Sequence, residues 1–418
     1  MTHRIIDVNE RPPITESIPL SFQHLFAMFG ASVLVPILFK INPATVLMMN
    51  GVGTLIYLFI CKGKIPAFLG SSFAFLSPVF LVIGKYGYPS ALGGFIASGL
   101  IFIFVALLFK FLGTEWIHVV FPPAAMGAIV AIIGLELAPT AGDMAGLLPK
   151  NGIPLDAKSV TVSITTLVTI ILGSVLFRGF LKIIPILIGV IVGYVLSLFM
   201  GLVNFDPIYN APWFAFPTIY TPVFNISAIL IIIPASLVVI AEHIGHLIVT
   251  GNIVGRDLAK DPGLHRSLIS DGISTTISGL FGSVPTTTYG ENIGVLAITK
   301  VYSVWVIGGA AVISILISFI GKFAAAIQTI PLPVMGGVSL MLFGVIAASG
   351  IRMLVEKNID YSKPKNLILT AFVLVIGISG AQIQVGTVTM KGMALATVLS
   401  IFISLAFEAF EKMGLMNE

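Results

Sequence analysis

The residues best able to do chemistry in this chain are acids and imidazoles set into apolar sequence. In Glu242-His243-Ile244-Gly245-His246 a carboxylate and an imidazole stand four residues apart, directly after the apolar run 226–240. On a helix that spacing stacks both groups on one face, with Gly245 leaving room beside them. A carboxylate in an apolar setting holds its proton more tightly than in water, and a neighbouring histidine titrates near neutral pH. Such a pair can hold and release a proton. A hydrogen-bonded pair locking two helices is the plainer alternative. The order is wrong for a zinc protease, which needs H-E-x-x-H rather than E-H-x-x-H, so neither a metal nor a cofactor is expected.

Other acids also fall in apolar surroundings. Glu291 follows the stretch 282–290, which is rich in Gly, Ser, Thr and Pro, and would sit at a helix start where the dipole favours a carboxylate. Asp271 lies near Arg266 and His265 and reads as structural. Glu136 stands near the end of its apolar segment and is expected to reach the interface. His24, preceded by Gln23, reads as a hydrogen-bonded core histidine.

The elements that carry these groups must cross a membrane. Of 418 residues, 57% are hydrophobic and 10% charged, too little polar surface for a soluble fold of this size. The apolar blocks approach the ~20 residues a spanning helix needs. Breaks between them give about fourteen spans, centred near Met28, Thr54, Phe75, Ile101, Ala131, Val168, Val192, Val238, Ile273, Val295, Ile313, Met341, Val373 and Ser400. The first eighteen residues hold no apolar signal core, so insertion is expected to begin with the first span. With a cytoplasmic N-terminus, six of the 22 Lys and Arg residues (Lys40, Lys85, Lys150, Lys158, Lys322 and Lys391) fall outside and the rest inside, as the positive-inside rule requires. The net charge of +4 comes without a basic stripe interleaved with aromatics, so membrane lipid rather than nucleic acid is the expected surrounding. Cys61 is the single cysteine, which excludes an internal disulfide and reads as a packing residue.

The two halves resemble each other. Pro122-Pro123-Ala124-Ala125-Met126-Gly127 and Pro331-Leu332-Pro333-Val334-Met335-Gly336 each open a span, and Met126 and Met335 are 209 residues apart. The stretches 70–78 and 282–290 sit at a similar offset. An offset of seven spans is odd, so the copies are expected to insert with opposite orientation. Both stretches favour extended backbone, which at membrane depth is tolerated only where protein, water or a ligand pairs the freed groups. They are expected to run extended into mid-membrane and to start half-helices near Ala74 and Glu291, with N–H donors aimed at the midplane.

The stretch Glu291-Asn292-Ile293-Gly294-Val295-Leu296-Ala297-Ile298-Thr299-Lys300 matches the signature of the nucleobase–ascorbate transporters: Gln, Glu or Pro, then Asn-x-Gly-x-x-x-x-Thr, then Arg, Lys or Gly. Gln23-His24 in the first span is a second hallmark of that family. The resemblance runs along nearly the whole chain. It implies an all-α membrane protein of fourteen spans in two inverted seven-span repeats, with short antiparallel strands in spans three and ten. Core parts would cover 1–113 and 226–323, and gate parts 114–225 and 324–418.

Carried onto this sequence, the family's substrate site would use Glu242, Phe73, Tyr289, Gly290 and Glu291. Proton coupling would fall to His246 with Glu242, and Asn292 would brace the strands by bonding Ser71 and Ser72. Where a uracil carrier of the family has a tyrosine on span twelve, this chain has Phe343, and a gate hydroxyl is lost. The resemblance therefore implies a secondary transporter that imports uracil with a proton, in a bacterial inner membrane and as a homodimer. A Gln at the first motif position resembles the purine branch, and Glu291 points to uracil; xanthine or urate symport is the nearest alternative. An intramembrane enzyme using the Glu242/His246 face is a remote one, because the lone thiol lies far off in sequence.

Overall fold

The computed structural model describes residues 4–113, 116–149, 154–386 and 388–416, and it is built mostly of helices. In the first half, α1 (Ile14–Ala27) and α2 (Phe29–Phe39) form a pair bent by 43°. Helix α3 (Pro43–Ile60) starts on Asn42, whose side chain accepts from the Ala44 N–H, with proline in the first turn where no donor is needed. Strand β1 (Leu69–Ser71) leads through a 3-10 turn (Phe73–Phe75) into α4 (Leu76–Tyr86). Then come α5 (Tyr88–Leu112), the short α6 (Ile117–Val120), α7 (Pro123–Met144), α8 (Ala157–Leu176) and α9 (Pro185–Phe199).

The second half opens with the short α10 (Asp206–Asn210) and the long α11 (Ile226–Val254), which starts on an Asn225 cap. Helix α12 (Leu264–Leu280) precedes β2 (Thr286–Thr288) and α13 (Gly290–Thr299). They are followed by α14 (Val304–Ser318), α15 (Gly321–Gln328), α16 (Leu332–Glu356) and α17 (Pro364–Ile378). A hairpin of β3 (Gln382–Val385) and β4 (Val388–Lys391), which sequence periodicity did not signal, leads into α18 (Gly392–Lys412).

Among the described residues, seven helices are long and apolar enough to cross a membrane, eight if the bent α1–α2 pair is one span. Four shorter apolar segments accompany them: 73–86, 185–199, 304–318 and 364–378. Twelve of the fourteen expected centres fall on these elements, Met28 at the α1–α2 bend and Phe75 in the 3-10 turn, whereas Ile273 and Val295 fall on α12 and α13, which are not among them. Helices α12 and α13 are the weak ones, for different reasons. Helix α12 carries Ser267, Ser270, Ser274, Thr275 and Ser278, and α13 has only 10 residues. At 1.5 Å per residue α13 reaches about half the hydrocarbon thickness. Lys150, expected outside, lies beyond the described residues.

Close helix packing rests on small residues. Helices α7 and α16 run alongside each other with Gly127 and Ala131 facing Gly350; a Cβ on Gly350 would come within 2.6 Å of the Gly127 carbonyl oxygen. In lipid, where apolar surface gains little by leaving its solvent, such backbone proximity supplies the dispersion contacts that hold helices together. Helices α3, α5, α12 and α14 pack on one another as one group, and α7, α8, α9, α16, α17 and α18 as another; α11 lies against both. Outward-facing positions are apolar, including Phe59, Val175 and Phe199, as lipid contact demands.

Strands β1 and β2, one from each half, pair antiparallel with Leu69 opposite Thr288, Gly70 opposite Thr287 and Ser71 opposite Thr286. All six residues are buried. The extended backbone expected at these two places is present, confined to three residues on each side.

Candidate substrate and proton site

A cavity of about 270 Å³ lies where the strand pair meets α11, α13 and α16. Glu242, His246, Ser71, Phe73, Tyr289, Gly290 and Glu291 line it, and Val130 of α7 adds to its wall. Residues from positions 71 to 291 thus converge on one space from separate stretches of backbone: β1 with its 3-10 turn, α11, and the junction of β2 with α13. The 3-10 turn at Phe73 and helix α13 at Gly290 both begin without a side-chain cap, the kind of backbone start that can offer N–H groups to a ligand or water.

Tyr289 ties the strands together. Its N–H donates to the Phe68 carbonyl at 3.1 Å, and its hydroxyl oxygen accepts from the Ser71 N–H at 2.9 Å. The ring lies over Gly70 so closely that any Cβ there would overlap it. Asn292 does not do what the resemblance implied. Its Oδ1 accepts from the Phe68 N–H at 3.1 Å, and its Nδ2 donates to His24 Nδ1 at 3.2 Å. The register explains the correction: Asn292 continues from Thr288, which pairs with Leu69, while Ser71 and Ser72 lie toward the other end of β1. The Ser72 N–H donates instead to the Pro285 carbonyl at 2.9 Å, and neither serine hydroxyl has a partner among the described residues. Asn292 still pins the start of β1, from the residue before it.

His246 Nδ1 lies 2.8 Å from the Thr288 carbonyl oxygen. A carbonyl only accepts, so Nδ1 carries the hydrogen and a neutral ring leaves Nε2 as the acceptor. Nε2 faces Gly290, 3.4 Å from where a Cβ would stand there. Glu242 is 8% exposed, and its Oε2 has no hydrogen-bond partner among the described residues. Arg352, the one basic residue in the cavity lining, stands at the exposed mouth and donates to Glu356 at 2.6 Å. Two carboxylates therefore enter a membrane cavity with no cation paired to them among the described residues, a situation that calls for a proton or a ligand's N–H groups. Phe343 is buried outside the lining and meets Phe73 edge-on, with ring centroids 5.8 Å apart.

Several groups were misread or overlooked from sequence. Asp271, read as structural, is wholly buried with His243, a partner the sequence did not indicate; Oδ2 and Nδ1 are 3.1 Å apart. His243 Nε2 lies 2.8 Å from Ser267 Oγ, which is 2.6 Å from the Tyr57 hydroxyl. The signal was present: Ser267, Ser270, Asp271, Ser274, Thr275 and Ser278 follow the 3.6-residue period and mark a buried polar stripe on α12. Glu136 does not reach out to the interface but bonds Ser77 and the Met393 N–H. Among the described residues, no group of three His, Cys, Asp or Glu side chains could hold a metal, and Cys61 is buried at the end of α3.

The fold is that of a multi-pass membrane protein. The fold is that of the murine Slc26a9 anion transporter in its inward-facing state (TM-score 0.70, 12% identity, 96% of this chain and 69% of that one). The transmembrane domain of the cyanobacterial bicarbonate transporter BicA is also similar (TM-score 0.65, 13% identity, 96% and 99% covered). The profile of a permease family matches residues 15–386, and the chain belongs to that family, the nucleobase–ascorbate transporters whose signature it carries. It is a permease and not an enzyme. The uracil permease of Escherichia coli K12 is 66% identical over 98% of this chain and 95% of its own length. That of Paenibacillus larvae is 62% identical over the full length of both, and that of Bacillus subtilis 47% identical over 96% and 94%.

Proposed function

We propose that this permease imports uracil together with a proton by alternating access. The observation that carries the reading is the single cavity joining Glu242, Glu291, His246 Nε2, Phe73 and two uncapped half-helix N-termini. Uracil is a flat ring with two N–H donors and two carbonyl acceptors. Carboxylates suit the former, backbone N–H groups at Phe73 and Gly290 suit the latter, and Phe73 offers a face for the ring. Tyr289 shapes the wall, its hydroxyl being engaged on Ser71. Permeases named for uracil at 62% and 66% identity support this substrate.

A proton on Glu242 or His246 removes the cost of an unpaired charge and leaves the other carboxylate to hold the ring. Substrate and proton then favour each other's binding, as coupling requires. In this reading fourteen spans form two inverted repeats, supported by the antiparallel β1–β2 pair and by the proline starts of α7 and α16. The division into core (1–113, 226–323) and gate (114–225, 324–418) is supported by the grouping of α3, α5, α12 and α14 apart from α7, α8, α9, α16, α17 and α18. With both termini in the cytoplasm of a bacterium, the Arg352 end of the cavity faces inward, so this is the inward-open arrangement.

The test is uptake of labelled uracil by proteoliposomes under an imposed pH gradient, with counterflow as a gradient-free control. Failure of both would remove uracil as substrate. Uptake indifferent to collapsing the gradient would remove proton coupling alone.

A further inference from the structure

Glu136 lies on α7 far from the cavity mouth. Pro123, in the first turn of α7, shares a cleft with Met353, Glu356 and Lys357 at the mouth end, and thirteen residues of helix carry Glu136 roughly 20 Å beyond it. There both carboxylate oxygens are taken. Oε2 accepts from the Met393 N–H at 2.7 Å, in the first turn of α18, and Oε1 accepts from Ser77 Oγ at 2.6 Å, in the first turn of α4. The seat is specific: Gly392, at φ 55°, lies so close that a Cβ there would overlap the carboxylate. The two bonds differ in kind. Helices α7 and α18 pack against each other, whereas α4 is the direct continuation of the β1–Phe73 segment that lines the cavity. Four residues before Ser77, Phe73 meets Phe343 of α16. Two contacts therefore join the site-bearing segment to the α7–α16–α18 group, and one of them is a charge-assisted hydrogen bond.

We propose that Glu136 is a positioning residue that holds the far side of the cavity shut. Its carboxylate, fixed by α18, captures Ser77 while the cavity opens at the Arg352 end, and releases it when the opening passes to the other end. The Met393 bond stays intact throughout; the Ser77 bond is the one that breaks. This rests on the alternating-access reading.

The experiment measures access to a reporter cysteine at Val130, in the cavity wall, with Cys61→Ala removing the native thiol. Membrane-impermeant thiol reagent is applied to reconstituted protein from each side. Ser77→Ala should speed labelling from the far side roughly tenfold, the worth of one hydrogen bond to a charged group, and slow it from the Arg352 side. Ser77→Thr, which restores a hydroxyl, should return both rates toward the parent. Equal rates in Ser77→Ala and the parent, with both folded by thermal unfolding, would overturn the proposal and leave Glu136 a static tie. Should Ser77→Ala fail to fold, Glu136→Gln, which keeps an acceptor for Met393 but weakens the Ser77 bond, must shift labelling in the same direction or the proposal falls. Labelling needs no uracil, so a parent that does not transport uracil would defeat the substrate assignment without touching this readout.

Discussion

Glu242 and Glu291 reach one cavity from different helices, and neither has a cation beside it among the described residues. If Glu291 accepts a uracil N–H, Glu291→Gln exchanges a charge-assisted bond for a neutral one. Binding should weaken by roughly 10- to 100-fold, read by calorimetry in detergent. Unchanged affinity would remove Glu291 from the site. Glu242→Gln should abolish gradient-driven uptake while counterflow persists, because a permanently neutral side chain still accepts a hydrogen bond but cannot release a proton. Gradient-driven uptake by that variant would move the proton site elsewhere. The His243–Asp271 pair makes a different prediction. Asp271→Ala removes the carboxylate that stands 3.1 Å from the wholly buried His243 Nδ1, and the thermal midpoint in detergent should fall by an amount equivalent to about 3 kcal/mol. An unchanged midpoint would show that the pair contributes nothing to stability.

At the scale of elements, the sequence showed where helices break but not how the broken pieces meet. Gly, Ser, Thr and Pro at 70–78 and 282–290 disfavour helix through local backbone preference, so extended segments were legible, and the helix starts expected near Ala74 and Glu291 fall one residue from those at Phe73 and Gly290. Register was not. It decides that Asn292 reaches Phe68 rather than Ser71 and Ser72, and it depends on atoms 224 residues apart in the chain. Asn292→Ala should leave the Phe68 N–H unpaired and weaken uracil binding without touching the cavity lining, a loss visible in the same calorimetry. Helix packing gives a second test. Gly134 lies against the Phe343 backbone, with the Ala347 nitrogen 2.8 Å from an added Cβ. Gly134→Leu should therefore separate α7 from α16 and lower the yield of monodisperse protein on size exclusion, whereas Gly294, with open space around it, should tolerate alanine.

For the whole molecule, the proposed inward-open arrangement and the contacts of Glu136 and Phe73 away from the Arg352 end belong together. A cavity open at one end needs a closed layer at the other, and hydrophobic periodicity carries no trace of which end is open. Glu136 illustrates this: its position near a span end read as a route to the interface, yet Ser77 and Met393, from the third and last spans of the proposed fold, fill both oxygens.

What the sequence determined by itself was the solvent, the positions of the helices and the chemical type of the site. The first two follow from local composition, through apolar length and the breaks between apolar runs; the expected chemistry of the site followed from the 3.6-residue period that joins Glu242 with His246 and from the family resemblance carried by the stretch beginning at Glu291. The partner of each polar group, by contrast, came from packing across the chain. Asp271 found His243, Glu136 found Ser77, Asn292 found Phe68, and Phe343 found Phe73. Each pairing needs two elements brought within hydrogen-bond or van der Waals reach. That proximity is set by helix packing and strand register across the whole chain rather than by any stretch of it.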